Sequence, residues 1–306
     1  MPSPVAMTYW QNYVTPRTLD EALAALRGAP GPARLIAGGT DLLLDLQQGR
    51  QPPIDTLIDI SRVPELCGVR LEGERLFVGA SVTHATIVSH PLIAAEAACL
   101  VEACALIGGP QVRNVATLGG NVAHALPAAD ATIALLALNA TAELATPTGR
   151  HELPVEDLFT GPGKVAFDRA NTIVVGFRIR ERRAGEGSAF SRIMRPQGVA
   201  IAILNMAVWV CLEADGVIAE ARIAIGPGGP RPTRLPSAEA RLIGQRSEAI
   251  DWSRVADALR SGIQLRSSKH RATLDYRRHL LRVLLSRTLP AAVQDARQQA
   301  PTGVNA

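Results

Sequence analysis

The sequence predicts an α+β chain, on three observations. Its first 60 residues alternate helix-like and strand-like patterns joined by short loops. A mixed middle sets Ala-rich helical runs among strands. A β-rich stretch ending at Ile225 then gives way to helical periodicity from Ser237 onward. The 306 residues allow one large domain or two to three small packed lobes. With 47% hydrophobic and 20% charged residues there is ample apolar material for a core and no basis for global disorder.

The elements follow in order. Thr18 stands as an N-cap, with Glu21 at capping-box spacing, before an Ala/Leu-rich helix that ends at Arg27-Gly28. Ala33 to Ala37 is a short apolar strand running into Gly38-Gly39-Thr40-Asp41; a helix from Leu42 to Gln48 follows, then a strand from Thr56 to Ile60. Strands are expected at Arg75 to Val78 and around Ser81, and one helix from Pro91 to Cys104. After a Gly/Pro loop comes a second double glycine, Gly119-Gly120, also expected in a loop. Pro127 is placed to open a helix through Leu138, proline being tolerated in a first turn. Glu143 to Ala145, Asn171 to Ile179, Ala200 to Cys211 and Val217 to Ile225 read as strands, with a loop at Thr160 to Lys164. Arg266 to Arg287 carries seven basic residues against Asp275, which suits a solvated helix face or a partner contact equally. Gln298 to Ala306 is polar and expected to fray.

Composition removes several function classes. A net charge of +4 is a weak field over this length, and aromatic residues for base stacking make up only 4%, which disfavours nucleic acid. The longest apolar stretch, Val199 to Leu212, is broken by Asn205 and is shorter than the roughly 18 to 20 residues of a membrane span. The N-terminus lacks the pattern of a secretory signal, and Cys67, Cys99, Cys104 and Cys211 form no CxxC pair. Free thiols, a cytoplasmic setting and no metal site are therefore expected. His84, His124 and His279 have no metal-ligand spacing, and structural or solvent roles are favoured for them.

The chemistry-bearing features are Ala37-Gly38-Gly39-Thr40-Asp41 and Thr117-Leu118-Gly119-Gly120-Asn121. Consecutive glycines let backbone N–H groups crowd one anion, and two such turns converging could grip a diphosphate. Neither matches a Rossmann fingerprint or a P-loop, and a double glycine is most often plain turn chemistry.

The longer run Gly109-Pro110-Gln111-Val112-Arg113-Asn114-Val115-Ala116-Thr117-Leu118-Gly119-Gly120-Asn121, continuing to Pro127-Ala128-Ala129-Asp130, resembles the second flavin-binding motif of the FAD-carrying medium subunit in the xanthine dehydrogenase and carbon monoxide dehydrogenase family. Ala37 to Leu42 resembles that family's first motif. Phe190-Ser191-Arg192 with Arg195 to Ala200 is similar to its strand beside the flavin, and Tyr276 to Leu280 to its C-terminal helix signature. The resemblance runs from about Tyr13 to Arg287, with four motifs in order.

It implies a two-lobed FAD-binding fold of the vanillyl-alcohol oxidase type followed by a small α+β C-terminal domain of antiparallel sheet plus helices. The implied bounds are 1–58 and 59–180 for the two FAD-binding lobes, 181–290 for the C-terminal domain, and a flexible tail at 291–306. Ala37, Gly38, Gly39, Thr40, Asp41 and Leu42 would wrap one side of the FAD diphosphate, and Thr117, Gly119, Gly120 and Asn121 the other. Asp130 would accept from a ribose hydroxyl, Val174 would pack on the isoalloxazine, and Arg192 would replace the usual lysine at its pyrimidine edge. His124 is the histidine expected nearest the flavin. Arginine for lysine changes donor geometry, and the usual Ile-Pro is here Ile179-Arg180. No side chain need act as acid, base or nucleophile. The implied partners are a large molybdopterin-binding subunit and a small 2Fe–2S subunit, with NAD or oxygen as terminal acceptor. The alternative is a stand-alone FAD-dependent oxidoreductase of the same superfold, which would need its own proton-handling residue.

Overall fold

A computed structural model describes residues 8–195, 201–268 and 272–298. Residues Pro196 to Ala200 of the flavin-side motif and the end of the tail lie outside them.

The chain begins with β1 (Trp10–Val14), α1 (Leu19–Gly28), β2 (Ala33–Ile36), α2 (Leu42–Gln47) and β3 (Ile54–Asp59). The strands form a parallel sheet in the order β1-β3-β2. Thr18 caps α1 as expected, its Oγ1 accepting from the Glu21 amide at 3.1 Å. The buried stripe Leu19, Ala22, Leu23 and Leu26 packs α1 onto Ile58 and, beyond it, Phe77, Ile173 and Val175 of the next unit.

The middle unit runs through β4 (Val69–Glu72), β5 (Arg75–Gly79), α3 (His84–Ser89), α4 (Pro91–Glu96), α5 (Ala98–Ala105), α6 (Pro110–Arg113), α7 (Leu118–Ala123), α8 (Asp130–Ala137), β6 (Thr141–Thr146), β7 (Gly149–Pro154), β8 (Phe159–Gly161), β9 (Lys164–Val165) and β10 (Ile173–Arg180). Its antiparallel sheet has the order β4-β5-β10-β6-β7. Every residue of α8 is buried, so this helix is sandwiched rather than amphipathic. It packs against α5 on one side.

The last unit contains β11 (Glu186–Ile193), β12 (Leu204–Leu212), β13 (Ile218–Gly226), β14 (Thr233–Arg234), α9 (Pro236–Leu242), α10 (Trp252–Ser261) and α11 (Leu274–Gln298). The strands form an antiparallel sheet in chain order. One face carries α9 to α11 over a core that includes Leu204, Met206, Ile223, Leu281 and Leu285. The other face meets α8, which joins the middle unit to the last.

The structure corrects several sequence expectations. Ala97, at φ −147°, breaks the single helix expected at Pro91 to Cys104 into α4 and α5. The Pro127 helix starts only at Asp130, and Ser81 lies in no strand. Gly119 and Gly120 sit inside α7 rather than in a loop, because Thr117 Oγ1 accepts the Gly120 amide and starts the helix. The flexible tail does not begin at 291. Ala292, Val293 and Ala296 are buried where α11 crosses β11, and a Cβ on Gly187 would overlap the Ala292 carbonyl and the Ala296 amide. Within the basic stretch, Arg277 faces inward and donates to the Ile203 carbonyl at 2.7 Å. All four cysteines are free thiols; Cys99 and Cys104 are buried, and burial pushes Cys99 up to about 12. No described helix is long and apolar enough to cross a membrane.

Candidate functional site

The central feature is the approach of the two glycine segments. Gly38 lies directly against the Val115 carbonyl, where any Cβ would overlap it, so glycine is required for the contact. Gly39 has φ +67°, the left-handed turn that feeds the chain into α2. Gly119 is set by a different neighbour: its amide donates to the Ala80 carbonyl at 2.8 Å, and a Cβ there would meet Ala80. The isolated bridge between Thr83 and Thr117 fixes α7 beside the end of the middle sheet.

Between these segments lies a cavity of about 490 Å³, within the range of cofactor clefts. All fourteen residues singled out from the sequence line it, from Ala37 to Leu42 on one wall through Thr117 to His124 to Asp130, Val174 and Arg192. The two walls differ in what they offer. The amides of Gly38, Gly39, Thr40 and Asp41 find no acceptor among the described residues. On the other wall the Gly119, Gly120 and Asn121 amides are already bonded within the chain. Asn121 Oδ1 accepts from the Thr132 amide and hydroxyl at 3.3 and 3.2 Å, which ties α7 to α8. His124 Nε2 stands 3.9 Å from Asp41 Oδ1 across the gap.

Asp130 and Arg192 form a buried ion pair. Arg192 Nη1 donates to Asp130 Oδ2 at 2.6 Å, and Asn205 Nδ2 donates to Oδ1 at 2.6 Å. Burial pushes the Asp130 carboxyl up, while the guanidinium and then the Asn205 amide act against that. The sequence reading gives Asp130 and Arg192 separate roles on the cofactor; the structure holds their two side chains in mutual contact.

Three polar cavity residues were not assigned to the site from the sequence. Arg34, on β2, and Arg169, after β9, both line it, and neither pairs with a carboxylate among the described residues. Arg34 donates to Ala33 O, and Arg169 to Ala123 O at 2.6 Å and Gly163 O at 3.3 Å. Burial and then the nearby Arg34 charge lower the Arg169 pKa, which marks the two cations as neighbours. The third is His84, 1% exposed, which burial and then Arg113 hold down at about 4. Lone residues on separate elements leave no short-range pattern to find. Among the described residues no group of three His, Cys, Asp or Glu side chains is placed to hold a metal ion.

A diphosphate fits this arrangement. Four amides without an acceptor and two cations without a carboxylate partner, among the described residues, belong to residues lining one cleft, a donor set suited to an anion.

Comparison with known proteins gives the family. Residues 7–179 match the family model described as the FAD binding domain in molybdopterin dehydrogenase, and residues 188–292 the CO dehydrogenase flavoprotein C-terminal domain. The chain is 31% identical to the 6-hydroxypseudooxynicotine dehydrogenase complex subunit alpha of Paenarthrobacter nicotinovorans, over 94% of this chain and 95% of that one. It is likewise 31% identical to the carbon monoxide dehydrogenase medium chain of Hydrogenophaga pseudoflava, over 92% and 96%. A solved structure of carbon monoxide dehydrogenase from Hydrogenophaga pseudoflava superposes with a TM-score of 0.87 at 30% identity, covering 93% of this chain and 98% of that one.

Proposed function

The chain belongs to the family of FAD-binding subunits of molybdopterin dehydrogenases, and on that premise we propose that it is the electron-transfer subunit of a molybdenum hydroxylase, receiving electrons from the 2Fe–2S clusters of a small partner subunit and delivering them to an acceptor such as NAD or oxygen. A large molybdopterin-binding subunit would carry out the hydroxylation, in the cytoplasm. FAD is its cofactor, and when bound supplies the exchange between single-electron and two-electron transfer.

The observation that carries the site assignment is the contact of Gly38 with Val115, which brings two distant glycine segments around one cleft. In this reading the amides of Gly38 to Asp41 hold the diphosphate from one side, with Arg34 and Arg169 supplying charge. The α7 wall acts through its shape and through the side-chain Nδ2 of Asn121, since the backbone amides of Gly119, Gly120 and Asn121 are already bonded. Val174, 7% exposed at the start of β10, offers an apolar surface to a ring. Arg192 and Asp130 act together at the ring end, as a neutral pair that orients a polar edge rather than as a lone cation.

Titrating the purified full chain with FAD and recording the flavin spectrum tests the cofactor site. Isolating the native complex and measuring molybdenum and iron tests the partnership. A chain that takes up no flavin overturns the first; an active flavoprotein that purifies alone, with neither metal, overturns the second.

A further inference from the structure

His84 is the first residue of α3, just after its capping Thr83. Its backbone amide donates to Ala116 O at 3.0 Å, which anchors it beside the segment leading into α7. His84 is among the residues lining the cavity yet is 1% exposed, Nδ1 is enclosed without a partner, and no hydrogen bond reaches either ring nitrogen among the described residues. Buried polar groups are nearly always satisfied, and an orphan in a cavity wall asks for an outside partner. Phosphate is a poor candidate, because it favours a cation and this imidazole is kept uncharged by burial and by Arg113. Arg113 itself is spoken for, since its Nη1 donates to the carbonyls of Ile107 and Gly108 at 3.1 and 2.9 Å. Ile107, Gly108 and Val112 line the same cavity, and α6, which carries Val112, packs against α3. An apolar wall beside one neutral donor–acceptor ring suits the edge of a flat heteroaromatic group.

We infer that His84 is a cofactor-contacting residue, a neutral imidazole that exchanges a hydrogen bond with a heteroaromatic ring of bound FAD. The inference rests on the FAD site proposed above. Both the adenine and the isoalloxazine carry such an edge, and the experiment separates them.

The full chain is stripped of flavin, and FAD affinity is measured by calorimetry for wild type, His84→Leu, His84→Asn and His84→Gln, alongside thermal unfolding of each apo form. His84→Leu is expected to weaken FAD binding roughly 3- to 10-fold, the range of one neutral hydrogen bond. Whichever amide variant reproduces the engaged nitrogen restores most of the loss. Histidine-selective ¹⁵N spectra of wild type should show the His84 ring nitrogens shifting with FAD, and with either ADP or FMN alone; the fragment that moves them names the ring. A folded His84→Leu chain with unchanged FAD affinity, or ring nitrogens unmoved by FAD, overturns the inference. A wild-type chain that takes up no FAD instead overturns the reading on which it rests.

Discussion

Breaking the Asp130–Arg192 pair should destabilise the apo chain far more than an exposed pair would. The two side chains are each 7% exposed and 2.6 Å apart, and they join α8 of the middle unit to β11 of the last. Removing one member of such a pair leaves an uncompensated charge where water cannot reach it, at a cost of about 3–5 kcal/mol. Asp130→Asn keeps the shape and the Asn205 contact but strands the Arg192 cation; Arg192→Leu strands the carboxylate. Unfolding entropy of roughly 2.1 cal/mol/K per residue gives about 0.64 kcal/mol/K for the chain, so a loss of about 4 kcal/mol lowers the melting temperature by about 6 °C. The double variant should recover much of that loss, since neither charge is then stranded. Urea and thermal unfolding of the four flavin-free proteins form a complete cycle. Single losses below about 1 kcal/mol, or effects additive within about 0.5 kcal/mol, would show that the pair is solvated and uncoupled, and the argument would fail.

Three further outcomes follow from the cavity walls. Gly38→Ala forces the first glycine segment off Val115, so the chain should lose bound flavin absorbance on purification while keeping its far-ultraviolet dichroism. His84 titrates near 6.5 when unfolded and at about 4 when folded, so between those values the unfolded state binds the extra proton. Its contribution is intact above pH about 6.5 and is lost as pH falls towards 4, a swing on the order of 3 kcal/mol, and that part of the pH dependence should vanish in His84→Leu when apo stability is measured by urea unfolding. Arg169→Gln should weaken FAD binding and flatten its salt dependence, because a guanidinium with no carboxylate partner among the described residues would act on a diphosphate through charge; equal salt slopes in titrations of the two proteins would contradict this.

Sequence proximity decided what could be read in advance. The α1 cap was legible because Thr18 and Glu21 are three residues apart and their bond is local. The first glycine segment was legible as a turn because Gly39 needs its positive φ whatever surrounds it. The start of α7 is just as local, Thr117 capping the Gly120 amide, but a double glycine reads as a turn; the group that demands glycine at 119 is Ala80, 39 positions earlier in the turn after β5. The helical state of residues 291–298 was hidden for the same reason: Ala292 and Ala296 are small because β11 presses on them at Gly187. Of the site, the motif residues were visible as pieces, whereas Arg34, His84 and Arg169 became meaningful only when β2, α3 and the loop after β9 met around one cleft.

The charges in that cleft are distributed with a consistent logic. Among the described residues Arg34 and Arg169 have no carboxylate partner, so each keeps its attraction for an anion, and their mutual repulsion, which adds to burial in lowering the Arg169 pKa, would be relieved by one. Arg192 is treated the opposite way: a buried carboxylate neutralises it before any ligand is present. In the proposed site the chain thus grips the diphosphate by net charge and meets the ring with a nearly neutral surface of Val174 and a closed ion pair. A lone cation at the ring would favour a negatively charged reduced flavin and hold electrons more tightly. In the function proposed here, pairing it with Asp130 would remove much of that bias, as would suit a cofactor that both takes up and gives up electrons.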